Sequence, residues 1–316
     1  VYSREHRVKR QNSHPDKERT LLIQKYFETR MKMIDDRLLE ALTLDKRYAA
    51  QLKEAMIKAV IPGGKRWRPL LLISIFEMLT GMRKNNRLLP DAITAACAVE
   101  LAHNAALIHD DLPIIMDKKE RRGTNSIHHE YGNAVAILAG DALYTMAFEL
   151  MGSLKDSAKA VEAIRSLALN TRSYGLVGGQ AIDLAHKRKV MRINTLKHID
   201  TKKVGSLLLA ASDLACILAG ADDETRQSLN TYSVNLGLAY QMIEDIDRDY
   251  ARGSKDLDFS DDYIPVSKSG YTGLLGFDKA RKQVESLLNE CVRNIKPYPN
   301  NAILMEFIQM INERLP

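Results

Sequence analysis

Two acidic clusters, more than a hundred residues apart, are the part of this chain equipped for chemistry. One reads LIHDDLPIIMD over residues 107–117, the other YQMIEDIDRD over residues 240–249. Each sits in a segment of helical apolar spacing, where a carboxylate is costly unless a cation neutralises it. Facing one cavity, the two clusters would form a divalent-metal site for a polyanion, a diphosphate being the expected ligand. In the second cluster Gln241, Glu244, Asp245 and Arg248 fall at i, i+3, i+4 and i+7, on one helix face, and Asp249 lies four residues past Asp245. Glu244 and Asp245 could hold metal; the alternative is a solvated acidic face with a Glu244–Arg248 pair. In the first, Asp110 and Asp111 are adjacent, Pro113 disturbs the helix, and Asp117 would lie two turns past Asp110 if the helix continued. Lys118, Lys119, Arg121 and Arg122 follow. Fork-shaped donors beside carboxylates suit a metal-bound diphosphate, although a charged helix end balancing itself has the same composition.

A third element, IPGGKRWRPLL over residues 61–71, crowds Lys65, Arg66 and Arg68 into a turn before an apolar helix. This suits anion capture at a helix N-terminus. It lacks P-loop spacing and no strand precedes it.

The elements that must position these groups read as helices. Apolar residues recur at three- and four-residue spacing from about residue 18 onward, as in Leu21, Leu22 and Tyr26 or Leu207, Leu208 and Ala211. Strand-like alternation is absent. Pro62-Gly63-Gly64, Gly81, Gly123, Gly152, Gly220 and Gly253 stand where helices should end. The expectation is an all-α chain of roughly ten or more helices, with residues 18–316 as one domain. Residues 1–17, rich in Arg and Lys and poor in apolar side chains, are expected to be a basic flexible arm, and because the chain opens on Val1, its native start is expected to lie upstream.

The chain has 316 residues, 45% hydrophobic and 27% charged, and a net charge of +6 from 46 basic and 40 acidic residues. That mixture does not call for nucleic acid and suits a phosphorylated small molecule equally well. No unbroken apolar run approaches the roughly 18 residues of a membrane span. Cys97, Cys216 and Cys291 are odd in number and widely spaced, without zinc or disulfide spacing. A reducing, cytoplasmic location is therefore expected.

Six blocks occur in one order: GGKRWRP, AVELAHNAALIHDDLP, RRG followed by His128, LAGDAL, GLVGGQAIDL and YQMIEDIDRD. In that order they resemble the trans-prenyl diphosphate synthases, the farnesyl and geranylgeranyl diphosphate synthase family, over about residues 20–310. The resemblance implies an isoprenoid synthase fold, a helical bundle around a deep central cavity, usually in homodimers. It implies about three Mg2+ ions gripping an allylic diphosphate that ionises and is attacked by isopentenyl diphosphate. Carried over by position, Asp110, Asp111, Glu244 and Asp245 would hold metal. Arg121, Lys203 and Gln241 would touch the allylic diphosphate. Lys65, Arg68, His103 and Arg122 would hold isopentenyl diphosphate, although His103 alone reads as a buried, satisfied histidine. Lys255 matches the lysine of a loop after the second motif, and Gln180 and Asp183 match a supporting helix.

Four positions depart from the family pattern. The third metal aspartate of the first motif falls on Met116, with Asp117 one place later. The second motif reads Glu244-Asp245-Ile246-Asp247-Arg248, with Asp249 again one place late. The Lys-Thr pair is Lys203-Val204, which loses a hydroxyl, and Asp261 replaces a second loop lysine. Either Asp117 and Asp249 swing in to complete the metal shell, or metal binding is weakened. In the second case the chain would be a low-activity homologue, a regulatory subunit, or a synthase with other chemistry such as terpene cyclisation. In this family the residues four and five places before the first aspartate line the pocket floor. Here Ala106 and Ala105 leave room, so geranylgeranyl diphosphate is the expected product and farnesyl diphosphate the second choice.

Overall fold

Helix α4 (Leu89–Asp111) is buried on nearly every side, and its composition explains why. Ala92, Ala95, Ala96, Ala98, Ala102 and Ala105 have no exposed surface, and such small side chains let neighbouring helices approach from all directions. A helix apolar all round belongs in the interior of a large bundle. Pro90 starts it in its first turn, where a missing N–H costs nothing. At its far end Leu112 takes the extended conformation (φ −54°, ψ 146°) that a residue before proline prefers. Pro113 thus stops the helix just after the Asp110–Asp111 pair.

The fold is a computed structural model that describes residues 14–43, 49–82, 86–186, 191–253 and 270–315. Around α4 pack α3 (Trp67–Thr80), α6 (Asn133–Gly152) and α10 (Ser206–Ala219), and α10 also packs on α7 (Ser157–Thr171) and α11 (Asp223–Gly253). Helices α1 (His14–Thr43) and α2 (Ala50–Val60) lie against α3, α4 and α6, with the short α5 (Ile127–Tyr131) beside α6. On the other side α12 (Tyr271–Leu275), α13 (Phe277–Ile295) and α14 (Ala302–Asn312) contact α11. Helix α8 (Leu176–His186) precedes α9 (Ile193–Asp200), which runs into a π-helical turn at Thr201–Gly205 and then α10. The all-α expectation therefore holds with one exception. Glu120–Arg121 and Thr124–Asn125 form a two-stranded antiparallel hairpin, β1 and β2. Gly123 turns that hairpin and does not end a helix. Strands of two residues are too short for alternation to reveal them.

Two further features add to the sequence reading. Helix α1 begins at His14, inside the segment read as a flexible arm. Helices α4 and α6 are long and apolar enough to cross a membrane by length and composition, although no unbroken apolar run showed it. Four-fifths of the apolar stretch of α4 lies inside the protein (78%), against 39% for α6. Helix α4 is accordingly a core helix, and α6 turns much of its apolar surface outward. Lys255 and Asp261 lie outside the described residues.

Candidate active site

The end of α4 places two carboxylates where backbone carbonyls already make the potential negative, so cations must meet them. Asp111 is 3% exposed and is gripped by Arg121 from the hairpin, whose Nε donates to Oδ2 at 2.9 Å while Nη2 donates to Oδ1. Asp110 has Lys203 Nζ at 3.8 Å, and the same ammonium donates to Asp183 of α8 at 2.9 Å. Burial pushes the Asp110 carboxyl above the usual carboxylate range, with Asp111 adding to the rise and Lys203, Arg121 and Lys118 opposing it. Lys203 belongs to the π-helical turn, a geometry frequent at functional sites. The GGQ segment allows its approach, since a Cβ on Gly179 would lie 2.7 Å from the Lys203 amide nitrogen.

Asp117 does not continue the line of α4. It sits in a left-handed turn at φ 49°, its Oδ1 4.0 Å from Nε2 of His128. Among the described residues no three His, Cys, Asp or Glu side chains form a ready-made metal cluster. The side chain of Asp249 lies outside the described residues.

On α11 the second motif is also paired. Glu244 Oε1 lies 2.6 Å from Arg314 Nη1, and Arg314 Nη2 donates to Asp247 at 2.8 Å. Burial raises the Glu244 carboxyl, but Arg314, Tyr240 and the Lys65 charge outweigh it and leave the group below its usual range. Asp245, 7% exposed, accepts from the Tyr271 amide at 3.3 Å and has Arg248 Nη2 at 3.2 Å. Arg248 thus pairs with Asp245 and not with Glu244 as helical spacing alone allowed. Gln241 lies one turn before Asp245, half-buried. Arg314 and Tyr271 escape sequence reasoning because neither lies in a motif and both arrive from the far end of the chain.

A basic cavity of about 210 Å³ lies beside this helix, lined by Lys65, Arg68, His103, Arg122, Val204 and Tyr240 among others. Arg68 Nη1 is 3.3 Å from His103 Nε2, and Arg68 Nε is buried without a hydrogen-bond partner. Burial, then the charges of Arg68, Arg122, Arg121 and Arg66, hold His103 well below its usual range, so it is neutral. Arg66, from the same basic turn, also borders this cavity, but its guanidinium is taken up by internal partners. It is 2% exposed and donates to Asp35 at 2.9 Å, Glu100 at 2.8 Å and the Val60 carbonyl at 2.7 Å. Val204 gives this cavity an apolar wall with Leu208 and Leu236.

A second cavity, about 280 Å³ and mostly apolar, is lined by Ala106, Asp110, Tyr144, Leu176, Val177 and Gln180 among others. Ala105, by contrast, is wholly buried and is not part of this wall. Tyr144 reaches in from α6 with Phe148 beside it, ring centroids 6.2 Å apart. Both amide atoms of Gln180 are buried without hydrogen-bond partners next to Asp110. The donors fit Mg2+, which takes hard oxygens from one or two carboxylates and completes its shell with phosphate oxygens and water. Asp110 and Asp111 at the end of α4, and Glu244 and Asp245 on α11, are of that type, and the Gln180 amide is an unpaired polar group in the cavity that Asp110 lines.

The family model described as Polyprenyl synthetase matches residues 49–263. A dimethylallyltranstransferase of Fischerella ambigua is 32% identical over 290 residues, 90% of this chain and 82% of that protein. A geranylgeranyl diphosphate synthase of Cyanophora paradoxa is 33% identical over 283 residues, 88% of this chain and 91% of that relative. In three dimensions the chain is similar to the apo crystal structure of an FPP/GFPP synthase from Zymomonas mobilis. The TM-score is 0.78 at 28% identity, covering 92% of this chain and 97% of the other.

Proposed function

This chain belongs to the polyprenyl synthetase family and is a chain-elongating prenyltransferase; we propose that it condenses isopentenyl diphosphate with an allylic diphosphate to give geranylgeranyl diphosphate. The observation that carries this reading is that α4 serves both cavities, His103 lining the basic one and Ala106 with Asp110 the apolar one. One helix thereby presents an isoprenoid-sized apolar chamber, with a diphosphate anchor at its rim, next to a second anion pocket.

Mg2+, about three ions in the family's reaction, would be held by Asp110, Asp111, Glu244 and Asp245 and would supply Lewis-acid stabilisation of the departing diphosphate. Arg121 and Lys203, now paired with Asp111, Asp110 and Asp183, are placed to turn to diphosphate oxygens once those carboxylates hold metal, and Gln241 adds an amide on the α11 side. Lys65, Arg68, Arg122 and neutral His103 hold isopentenyl diphosphate. The apolar walls exclude water that would quench the allylic cation. The allylic C–O bond breaks with its electron pair leaving on diphosphate, the isopentenyl double bond attacks the allylic carbon, and the product cation loses a proton to that released diphosphate. Lys255, which matches the loop lysine of the family pattern, is proposed to bind diphosphate.

Ala106 leaves the chamber open near Asp110, which supports a product longer than farnesyl diphosphate, and Tyr144 sets its opposite wall. A homodimer is supported by α6 and α7, where Ile137 and Leu138 are 46% and 56% exposed and Val161 67% exposed, an apolar face that a second copy would cover. The buried free thiols Cys97, Cys216 and Cys291 support a reducing, cytoplasmic setting.

Purified protein with Mg2+ and farnesyl diphosphate, with and without labelled isopentenyl diphosphate, tests the reading. Elongation that requires the second substrate is expected. A hydrocarbon or alcohol released from farnesyl diphosphate alone would identify a terpene synthase. Inactivity in both, with titratable binding to a catalytic homologue, would identify a regulatory subunit.

A further inference from the structure

Arg122 is held by more than the cavity it lines. With Gly123 it forms the two-residue loop of the β1–β2 hairpin, at φ 54° and 76°. A loop of this kind favours Asn-Gly, and a long side chain at its first position is strained. The guanidinium lies across Gly64, where an added Cβ would come within 3.2 Å of Nη2 and 3.3 Å of Cζ and Nε. Its Nη1 donates to Asn104 Oδ1 at 3.3 Å. Asn104 is 1% exposed. Its Nδ2 donates to the Glu100 carbonyl at 2.8 Å and to Glu100 Oε1 at 3.3 Å. Those bonds fix which way the amide faces, and leave Oδ1 for Arg122. Glu100, 2% exposed, is itself fixed by Arg66.

We propose that Asn104 and Glu100 are positioning residues, a buried relay from Arg66 that orients Arg122 toward the diphosphate of isopentenyl diphosphate. The relay rests on the assignment of that ligand to the basic cavity. It explains why a GGKRWRP loop on one side of the site and an RRG hairpin on the other occur together. Arg66 and Gly64 belong to the loop, Arg122 to the hairpin, and the two α4 side chains join them. It also gives Glu100 a role as the resident counter-charge among Arg66, Arg68 and Arg122. Without it these cations would repel one another more strongly.

The test is a double-mutant cycle on the full-length protein with Mg2+, reading KM for isopentenyl diphosphate, kcat, binding of inorganic diphosphate, and thermal stability. Arg122→Ala is expected to raise KM about tenfold or more, as loss of a charged hydrogen-bonding group does. Asn104→Ser and Asn104→Ala are both made, so that poor folding of one leaves the other informative. Each is expected to raise KM about fivefold with kcat within about twofold, and to weaken inorganic diphosphate in parallel. In the Arg122→Ala background the same changes should alter KM by less than about twofold. A full Asn104 effect that persists without Arg122 overturns the relay while leaving the pocket assignment intact. An Arg122→Ala protein with unchanged KM and unchanged diphosphate binding overturns the pocket assignment, and the relay with it.

Discussion

Arg314 closes an ion pair with Glu244 at 2.6 Å, the guanidinium resting 5.3 Å above the Tyr240 ring. A residue near the C-terminal end of the chain therefore occupies the leading carboxylate of the second acidic motif, where metal is proposed to bind. The first motif is treated alike, with Arg121 on Asp111 and Lys203 on Asp110. Both acidic clusters are stabilised by the protein's own cations, and metal binding as proposed would exchange one set of counter-ions for another.

Arg314→Gln should lower the Mg2+ concentration needed for half-maximal activity, because metal no longer displaces a guanidinium from Glu244. Without metal the variant should melt about 2 °C lower, and Mg2+ with inorganic diphosphate should raise its melting temperature more than the parent's. An unchanged Mg2+ dependence together with an unchanged ligand-induced shift would refute the exchange.

The two aspartates of the first motif should separate sharply. Asp110→Ala is expected to reduce kcat by roughly two to four orders of magnitude, since it stands at the rim of the apolar chamber. Asp117→Ala, whose carboxylate faces His128, should stay within about threefold of the parent. Steady-state kinetics at saturating Mg2+ decide it, and equal losses would mean that the Asp117 turn rearranges on binding.

Chain length should follow the chamber walls. Ala106→Phe fills the space next to Asp110 and should shift the product toward farnesyl diphosphate. Tyr144→Ala removes the α6 wall and should extend the product by one or more isoprene units. Chromatography of the dephosphorylated products reads both, and an unaltered distribution in both variants would place the tail elsewhere.

Asp200, buried ahead of the π-helical turn, has its carboxyl pushed up to about 7 by burial, with Asp245 and Asp183 adding to the rise and Tyr271 and Lys203 opposing it. The folded protein keeps a proton that the unfolded chain releases near pH 4, so the native state binds more protons between those values. Its contribution is full below about pH 4 and is lost as pH rises through 7. Melting temperature should fall between pH 5.5 and 8, and Asp200→Asn should flatten that fall by a few degrees. An identical slope in both proteins would remove Asp200 as its source.

The helical architecture was legible because periodicity, proline and glycine act locally. Pro113 stopping α4 after Asp111 could be read from one dipeptide. The proposed metal carboxylates and their basic partners were named from the order of the motifs and the family pattern they resemble. The closing contacts were not. Arg314, Tyr271 and the Glu100–Asn104 relay act across the fold, and no local spacing announces a side chain that arrives from another helix. Ala105 shows the opposite limit, since the family pattern put it with Ala106 on the pocket floor, yet a helix turns consecutive residues to different faces. Asp117 stood where a continued helix would have carried it, but the proline that ends the helix also removed it from that line.

The π-helical turn at Thr201–Gly205 holds one residue more than an α-helical path would need. Removing one residue there, Lys202 for example, would let the segment relax to regular pitch with the flanking helices still in register, but would shift the residues of the turn itself on the helix face. Lys203 would swing off Asp110 and Asp183 while every side chain of the site kept its identity. At this point the chain's register, more than its composition, sets the site, so a single-codon deletion should do more harm than most substitutions.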